Sequence, residues 1–160
     1  IGAGLGGGSS DASFTLKALN ELFELKLANI QLEKYALKLG ADCPFFIDNI
    51  TKYVQGIGEN MSSVDLNLLA YELKFIFPEL HISTDEAYGG ITPKIPETNL
   101  LGLINQPIEN WKGKVKNDFE ILAFKKHPQL EKMKTQLYAD GAIYASMTGS
   151  GSVLYGMFGR

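Results

Sequence analysis

The chain has 160 residues and a formal net charge of -3, with 45% apolar and 21% charged residues. This composition is typical of a soluble globular protein. No apolar run is as long as the segment of about 20 residues that spans a bilayer. The lysines are dispersed and predict no basic surface for nucleic acid. The single cysteine, Cys43, cannot form an internal disulfide, which favours a cytoplasmic location, and His81 and His127 match no metal-ligand spacing.

A glycine-rich segment opens the chain and leads into a predicted helix. Residues 2–8 contain five glycines, and Ser9, Ser10 and Asp11 follow as polar residues that commonly begin a helix. Apolar residues at helical spacing predict that this helix covers residues 10–22. Unpaired N–H groups at a helix N-terminus bind phosphate oxygens, and glycines let those oxygens reach the backbone. The segment therefore predicts a phosphate-binding loop, with a flexible loop and a serine cap as the structural alternative.

The same segment satisfies the dinucleotide-binding pattern G-x-G-x-x-G from Gly2 to Gly7. That fold also requires a second strand ending in an acidic residue about 20 positions later. Here the sequence instead predicts a second helix that begins near Asn29, so a dinucleotide-binding fold is not supported. Because a phosphate-binding loop needs a scaffold on both sides, we expect a further N-terminal portion before Ile1.

The middle of the chain alternates between helical and strand patterns. The second helix ends at Gly40, and residues 51–64 predict a β-hairpin. Alternating apolar residues predict a strand at residues 73–77, which Pro78 ends. Ser83 and Glu86 stand three apart at a helix start and predict a capping box.

Residues 92–116 are rich in Pro, Gly and Asn and predict a loop that includes one helical turn. Asn117 and Asp118 predict the cap of the next helix, and Pro128 separates it from a further helix that ends at Gly141. Residues 142–147 and 153–158 predict two strands joined by a glycine- and serine-rich turn. The mixture of strands and helices predicts an α and β protein with a domain boundary near residues 65–70.

Four segments, in this order, resemble the sequence motifs of the GHMP kinase superfamily. They are Gly4-Leu5-Gly6-Gly7-Gly8-Ser9-Ser10-Asp11-Ala12, Leu39-Gly40-Ala41-Asp42-Cys43-Pro44-Phe45-Phe46, Gly56-Ile57-Gly58-Glu59 and Thr148-Gly149-Ser150-Gly151-Ser152. The resemblance implies an α+β fold. Residues 1–68 would be the remnant of a ribosomal-protein-S5-like ATP-binding domain, and residues 69–160 would form a ferredoxin-like C-terminal domain.

The triple-glycine loop and the segment around Asp42 are closest to the branch that phosphorylates a cytidine diphosphate derivative of methylerythritol. The resemblance implies ATP and Mg²⁺ as cofactors, a small-molecule substrate, and Asp42 as the catalytic base. It implies that ATP binds the opening loop, namely Gly2, Ala3, Gly4, Leu5, Gly6, Gly7, Gly8, Ser9 and Ser10. It implies substrate contacts from Asp11, Ala41, Thr84, Tyr88, Gly149, Ser150 and Gly151, with Tyr88 stacking on the cytosine ring. No metal-ligating side chains are assigned.

Three alternatives stay open at this level. The first is another GHMP kinase, of the homoserine or mevalonate type, and the second is a non-catalytic fragment or binding module. In the third, Asp42, Tyr88 and the Thr148 turn have only structural roles. The family pairs its aspartate with a lysine to which no residue of this chain corresponds, and Lys17 is expected to be solvated. The chain by itself is therefore expected to be inactive.

Overall fold

A computed structural model describes residues 4–58, 60–92, 94 and 99–160. Within these residues the helices and strands follow the order α1 Gly7–Leu22, α2 Asn29–Leu39, α3 Phe45–Asp48, β1 Lys52–Gln55, β2 Asn60–Ser63, β3 Tyr71–Ile76, α4 Thr84–Gly89, α5 Leu100–Ile104, α6 Phe119–Lys126, α7 Pro128–Ala139, β4 Tyr144–Met147 and β5 Leu154–Gly159. Contacts between residues define two compact units. The first unit is Gly6–Leu66, and the second unit is Asn67–Arg160 together with Gly4 and Leu5.

The first unit packs three helices around a small apolar core. Its buried members come from α2, from the turn after α2 and from α3, and they are Leu32, Ala36, Cys43 and Ile47. Ala12 and Leu16 of α1 pack against this cluster. Strands β1 and β2 pair antiparallel, which confirms the predicted hairpin. The packing of α1 on the α2–α3 segment is the feature that positions the candidate site in this unit.

Helix α1 begins at Gly7, three residues before the predicted start. Gly6 is its N-cap residue, with a left-handed φ of 66°. The predicted start at Ser10 was wrong, because it followed the low intrinsic helix propensity of glycine, whereas Gly7 and Gly8 are helical in the structure. As a result Ser9, Ser10 and Asp11 lie inside the helix and do not cap it.

The second unit is built on a three-stranded antiparallel sheet in the order β3-β5-β4. Helix α7 packs against β4 and β5. The core between the sheet and its helices includes the fully buried Leu130, Ala145 and Leu154. Because β4 lies at the edge of the sheet, its outer N–H and C=O groups need partners from outside the sheet.

Most predicted elements of the second unit are confirmed. Strand β3 and the C-terminal pair β4 and β5 form as expected, and the pair is in register with Met147 opposite Leu154. The loop expected over residues 92–116 contains α5 and one turn of 3₁₀ helix at Ile108–Asn110. The mixed α and β class is confirmed. No helix in the described part of the chain combines the length and apolar character that crossing a membrane requires.

Candidate phosphate-binding and catalytic residues

The N-terminus of α1 presents an open backbone surface in the first unit. The first helical hydrogen bond runs from the Ser10 N–H to the Gly6 carbonyl oxygen at 2.9 Å. The N–H groups of Gly7, Gly8 and Ser9 therefore precede the helical ladder and have no partner within the helix. A Cβ atom built on Gly7 or Gly8 would have no neighbour within 4 Å. These amides, at the positive end of the helix dipole, can be reached by an anion.

The turn that carries Asp42 is fixed against α1 by a buried hydroxyl. The Ser13 side chain is 0% exposed, and its oxygen lies 2.6 Å from the Cys43 carbonyl oxygen and 2.9 Å from the Ser9 carbonyl oxygen. The Phe46 ring lies against Gly6, where a Cβ atom would come within 2.9 Å of it. Asp42 is exposed, one residue before Cys43. The structure thus attaches the aspartate turn to the first turns of α1.

A second contact holds the other side of this turn. Gly58, after strand β1, lies against Ala41, and a Cβ atom at position 58 would be 2.4 Å from the Ala41 carbonyl oxygen. The Gly56–Gly58 segment was singled out in the sequence only as a motif. Its structural role is a close backbone contact beside Asp42, while Glu59 of the same motif lies outside the described residues.

In the second unit, Gly4 packs against the glycine- and serine-rich turn between β4 and β5. A Cβ atom on Gly4 would lie 2.3 Å from the Thr148 carbonyl oxygen, and the φ angle of Gly4 is +71°. No other amino acid fits this position without displacing backbone. Gly4, in the opening loop, and the Thr148 turn, which is the last of the four motifs, are therefore in contact within one unit. Gly2 and Ala3 lie outside the described residues.

The three predicted residues of the Thr148 turn differ in what they offer a ligand. Gly151 is buried, and its N–H donates to the Thr148 carbonyl oxygen at 2.8 Å. Gly149 is exposed and Ser150 is half-buried. Within the described residues, the N–H groups of Gly149 and Ser150 have no hydrogen-bond acceptor. These two amides are the ones that this turn can direct to a phosphate.

Asn117 holds the same turn, a role that was not predicted from the sequence. Its Nδ2 donates to the carbonyl oxygens of Met147, at 2.9 Å, and Gly149, at 2.8 Å. Its Oδ1 accepts the Phe119 N–H at 3.0 Å, which is the capping role expected from the sequence. Only the cap was visible in the sequence, because the two carbonyl groups lie about thirty residues away along the chain.

Helix α4 displays Thr84 and Tyr88, both exposed. Tyr88 is 63% exposed, and its ring packs edge-to-face on Phe119 with ring centroids 4.9 Å apart. Half of the predicted capping box is present, since Ser83 Oγ accepts the Glu86 N–H at 3.1 Å. The Glu86 carboxylate instead accepts from Lys126 Nζ at 2.9 Å, and this bond lowers the pKa of Glu86. The ion pair ties α4 to α6.

Lys17, which was expected only to face solvent, is half-buried and makes a specific contact. Its Nζ donates to the Ile47 carbonyl oxygen at 3.0 Å and lies 5.0 Å from the Phe14 ring centroid. Local sequence could not show this contact, because the fold brings the C-terminus of α3 beside α1 and joins residues 30 positions apart. Lys17 therefore stabilises the packing of α3 on α1.

Two protein-family models match the chain. The first, GHMP kinases N terminal domain, covers residues 1–49, and the second, GHMP kinases C terminal, covers residues 98–160. This chain belongs to the GHMP kinase family. The N-terminal match contains α1 and Asp42, and the C-terminal match contains Asn117 and the Thr148 turn.

Several similar proteins are named 4-diphosphocytidyl-2-C-methyl-D-erythritol kinase. Those from Bacteroides fragilis, Parabacteroides distasonis and Cytophaga hutchinsonii are 49%, 46% and 42% identical to this chain. The matches cover 98–99% of the chain, which spans only 57–59% of the relatives' length. A crystal structure of 4-(cytidine 5'-diphospho)-2C-methyl-D-erythritol kinase is also similar, with a TM-score of 0.81 and 31% identity over 98% of this chain and 57% of that one.

Proposed function

We propose that the protein to which this chain belongs transfers the γ-phosphoryl group of ATP to the 2-hydroxyl of 4-diphosphocytidyl-2-C-methyl-D-erythritol. The names of the similar proteins support this substrate. The single structural observation that carries the proposal is the open N-terminus of α1. Gly7 and Gly8 contact nothing that would exclude a side chain, so a ligand that approaches the backbone explains why glycines occupy both positions.

Phosphoryl transfer depends mainly on holding the phosphates and neutralising their charge. In the proposed reaction, ATP binds the opening loop, with the first-turn amides of α1 donating to phosphate oxygens and the Ser9 and Ser10 hydroxyls adding donors. Ser10 and Ser9 are half-buried beside those amides. Gly4 and Leu5 belong to the same loop, and we assign them to nucleotide binding by family resemblance.

Asp42 is the proposed general base. The substrate 2-hydroxyl oxygen forms a bond to the γ-phosphorus, the bond from that phosphorus to the ADP oxygen breaks, and the hydroxyl proton passes to the Asp42 carboxylate. Two features support this role. Asp42 is exposed, and its turn is fixed by the Ser13 bond to Cys43 and by the Gly58 contact with Ala41.

We propose Mg²⁺ as the accompanying ion. Its chemistry is to neutralise charge on the transferred phosphate. The described residues contain no cluster of three or more His, Cys, Asp or Glu side chains that would hold a metal ion by themselves. This composition fits Mg²⁺, which commonly binds through nucleotide phosphates and one or two protein oxygens. The Ser9 or Ser10 hydroxyl is the proposed protein ligand.

The remaining assignments concern the acceptor. Tyr88 has an exposed ring, fixed by Phe119, that can stack on the cytosine base, and Thr84 lies one helical turn before it. We assign the Thr148 turn to a phosphate group and Asp11 and Ala41 to the methylerythritol part. The product would enter isoprenoid precursor synthesis, and the buried single cysteine is compatible with a cytoplasmic enzyme.

The test is turnover of the complete gene product with ATP and three acceptors. We expect phosphorylation of 4-diphosphocytidyl-2-C-methyl-D-erythritol, identified at the 2-position by phosphorus NMR. Homoserine and mevalonate are expected to give no product. Product from either of these acceptors, with none from the cytidine derivative, would contradict the proposed substrate while leaving the family unchanged.

A further inference from the structure

The edge strand β4 is held by two polar side chains from the start of α6. Glu120 is 8% exposed, and its Oε1 accepts the Met147 N–H at 2.8 Å while its Oε2 accepts from Lys134 Nζ at 2.6 Å. Asn117 donates to the Met147 carbonyl oxygen. Both outward-facing backbone groups of Met147 are therefore satisfied, and the strand is fixed up to the residue before the Thr148 turn.

The second proton of the Asn117 amide extends this hold into the turn itself. It is donated to the Gly149 carbonyl oxygen at 2.8 Å. Both N–H donors of the Asn117 side chain are thus used, and its oxygen accepts the Phe119 N–H. An aspartate or a serine could keep the cap, but neither supplies two N–H donors.

In a trans peptide unit the C=O and N–H groups point in opposite directions. The unit that joins Met147 to Thr148 shows the consequence. Its carbonyl oxygen faces Asn117, and its N–H donates on the other side to the Val153 carbonyl oxygen at 2.8 Å. The unit that joins Gly149 to Ser150 is also trans, and its carbonyl oxygen also faces Asn117. Its N–H therefore points away from Asn117, where the described residues supply no acceptor.

We infer that Asn117 is a positioning residue that orients the Gly149–Ser150 peptide so that the Ser150 N–H is presented to a ligand phosphate. The inference rests on the proposed function, which assigns this turn to phosphate. The shared ligand chemistry is a nucleoside diphosphate group, supplied either by the ATP donor or by the cytidylylated acceptor. Asn117 acts through the turn and does not itself touch the phosphate.

The experiment measures binding to the complete gene product by calorimetry, with ADP against adenosine and CDP against cytidine. Asn117→Asp and Asn117→Ser keep an oxygen for the Phe119 cap and remove the two amide donors. We expect both variants to bind one diphosphate at least about 10-fold more weakly, the scale of a hydrogen bond to a charged group, with nucleoside binding unchanged. Loss confined to CDP assigns the turn to the acceptor, and loss confined to ADP assigns it to the donor.

Asn99→Asp is the matched control, because Asn99 caps α5 through Oδ1 at 2.9 Å from the Leu101 nitrogen. It is expected to bind all four ligands like the unchanged protein. If Asn117→Asp proves unfolded, the neutral Asn117→Ser variant decides the outcome. Unchanged diphosphate binding, or equal weakening of nucleosides and diphosphates, would overturn the inference. If the unchanged protein turns over the proposed substrate and the Asn117 variants give either of these binding results, only the role of Asn117 is refuted. If the unchanged protein does not turn over the substrate, the proposed function is refuted.

Discussion

The glycines of the opening loop have different physical reasons for being glycine. Gly4 and Gly6 have positive φ angles and lie against other parts of the protein, so a side chain would disturb the fold. Gly7 and Gly8 are helical and face open space. At these two positions the absence of a side chain is explained by access to the backbone amides.

Replacing Gly7 or Gly8 by alanine therefore separates stability from nucleotide binding. We expect the free energy of unfolding to stay the same or rise by up to about 1 kcal/mol, because alanine is the better helix former. The KM for ATP should rise at least about 10-fold, because a methyl group would obstruct phosphate contacts of the charge-assisted kind. Chemical denaturation and ATP titration of turnover measure the two effects.

Gly102→Ala provides the comparison, since Gly102 lies in α5 and its Cβ position is also unobstructed. This variant should gain the same helix stability without any change in KM. An unaltered KM in both loop variants would remove the α1 N-terminus from nucleotide binding.

The substitution Asp42→Asn tests whether Asp42 is the general base. The change preserves size and removes the proton acceptor, so kcat should fall at least about 100-fold while the melting temperature changes little. Asp65→Asn, at an exposed aspartate between β2 and β3, should leave kcat unaltered. Near-normal turnover of the Asp42 variant would show that another group accepts the proton.

Among the elements, α2, α3 and β1 are connected by a charged cluster. Lys52 Nζ lies 2.7 Å from Asp48 Oδ2 and 3.4 Å from Glu33 Oε1, and Asn29 donates to Asp48 Oδ1 at 2.7 Å. The hydrogen bond from Lys52, followed by that from Asn29, holds the pKa of Asp48 below its ordinary value of 3.8. The ionised carboxylate is therefore favoured by folding.

Because the pKa of Asp48 is lowered in the folded state, the direction in which protein stability changes with pH is determined. The stability that Asp48 contributes is fully present above its ordinary pKa and is lost as the pH falls through the lowered value. Asp48→Asn should lower the melting temperature at neutral pH, and the difference from the unchanged protein should shrink on acidification below about pH 4. Melting curves across this range measure it, with Asp65→Asn as the comparison. A difference that persists at the acidic end would show that the charge of Asp48 is not its source.

Some of the helices and strands could be predicted from local sequence patterns, and others could not. The hairpin, β3 and the β4–β5 pair follow from local alternation and turn residues, so they could be predicted. The start of α1 could not, because glycine has a low intrinsic helix propensity, and Gly7 and Gly8 nevertheless form the first turn of the helix. Long-range bonds of Ser13 to Cys43, of Lys17 to Ile47 and of Asn117 to Gly149 join residues 30 to 32 positions apart. A single sequence contains no local signal for such pairs.

At the scale of the whole molecule, the chain spans 57–59% of the length of the named relatives. The family resemblance pairs Asp42 with a substrate-activating lysine to which none of these 160 residues corresponds. We therefore expect the 160-residue chain alone to show less than about 1% of the turnover of the complete gene product, a loss at the scale of one acid–base group. Turnover of both polypeptides under one set of conditions measures this. Comparable rates would mean that the chain itself contains every group the chemistry requires.

Cys43, the single cysteine of this chain, lies in the turn that carries Asp42, so its thiol can be used to follow opening of that turn. Cys43 is 3% exposed and follows Asp42 directly in a turn whose backbone is anchored by Ser13. A thiol-modifying reagent reaches such a sulfur only when the surrounding segment opens. The labelling rate of Cys43 therefore measures how often the aspartate turn detaches from α1, and no introduced cysteine is needed.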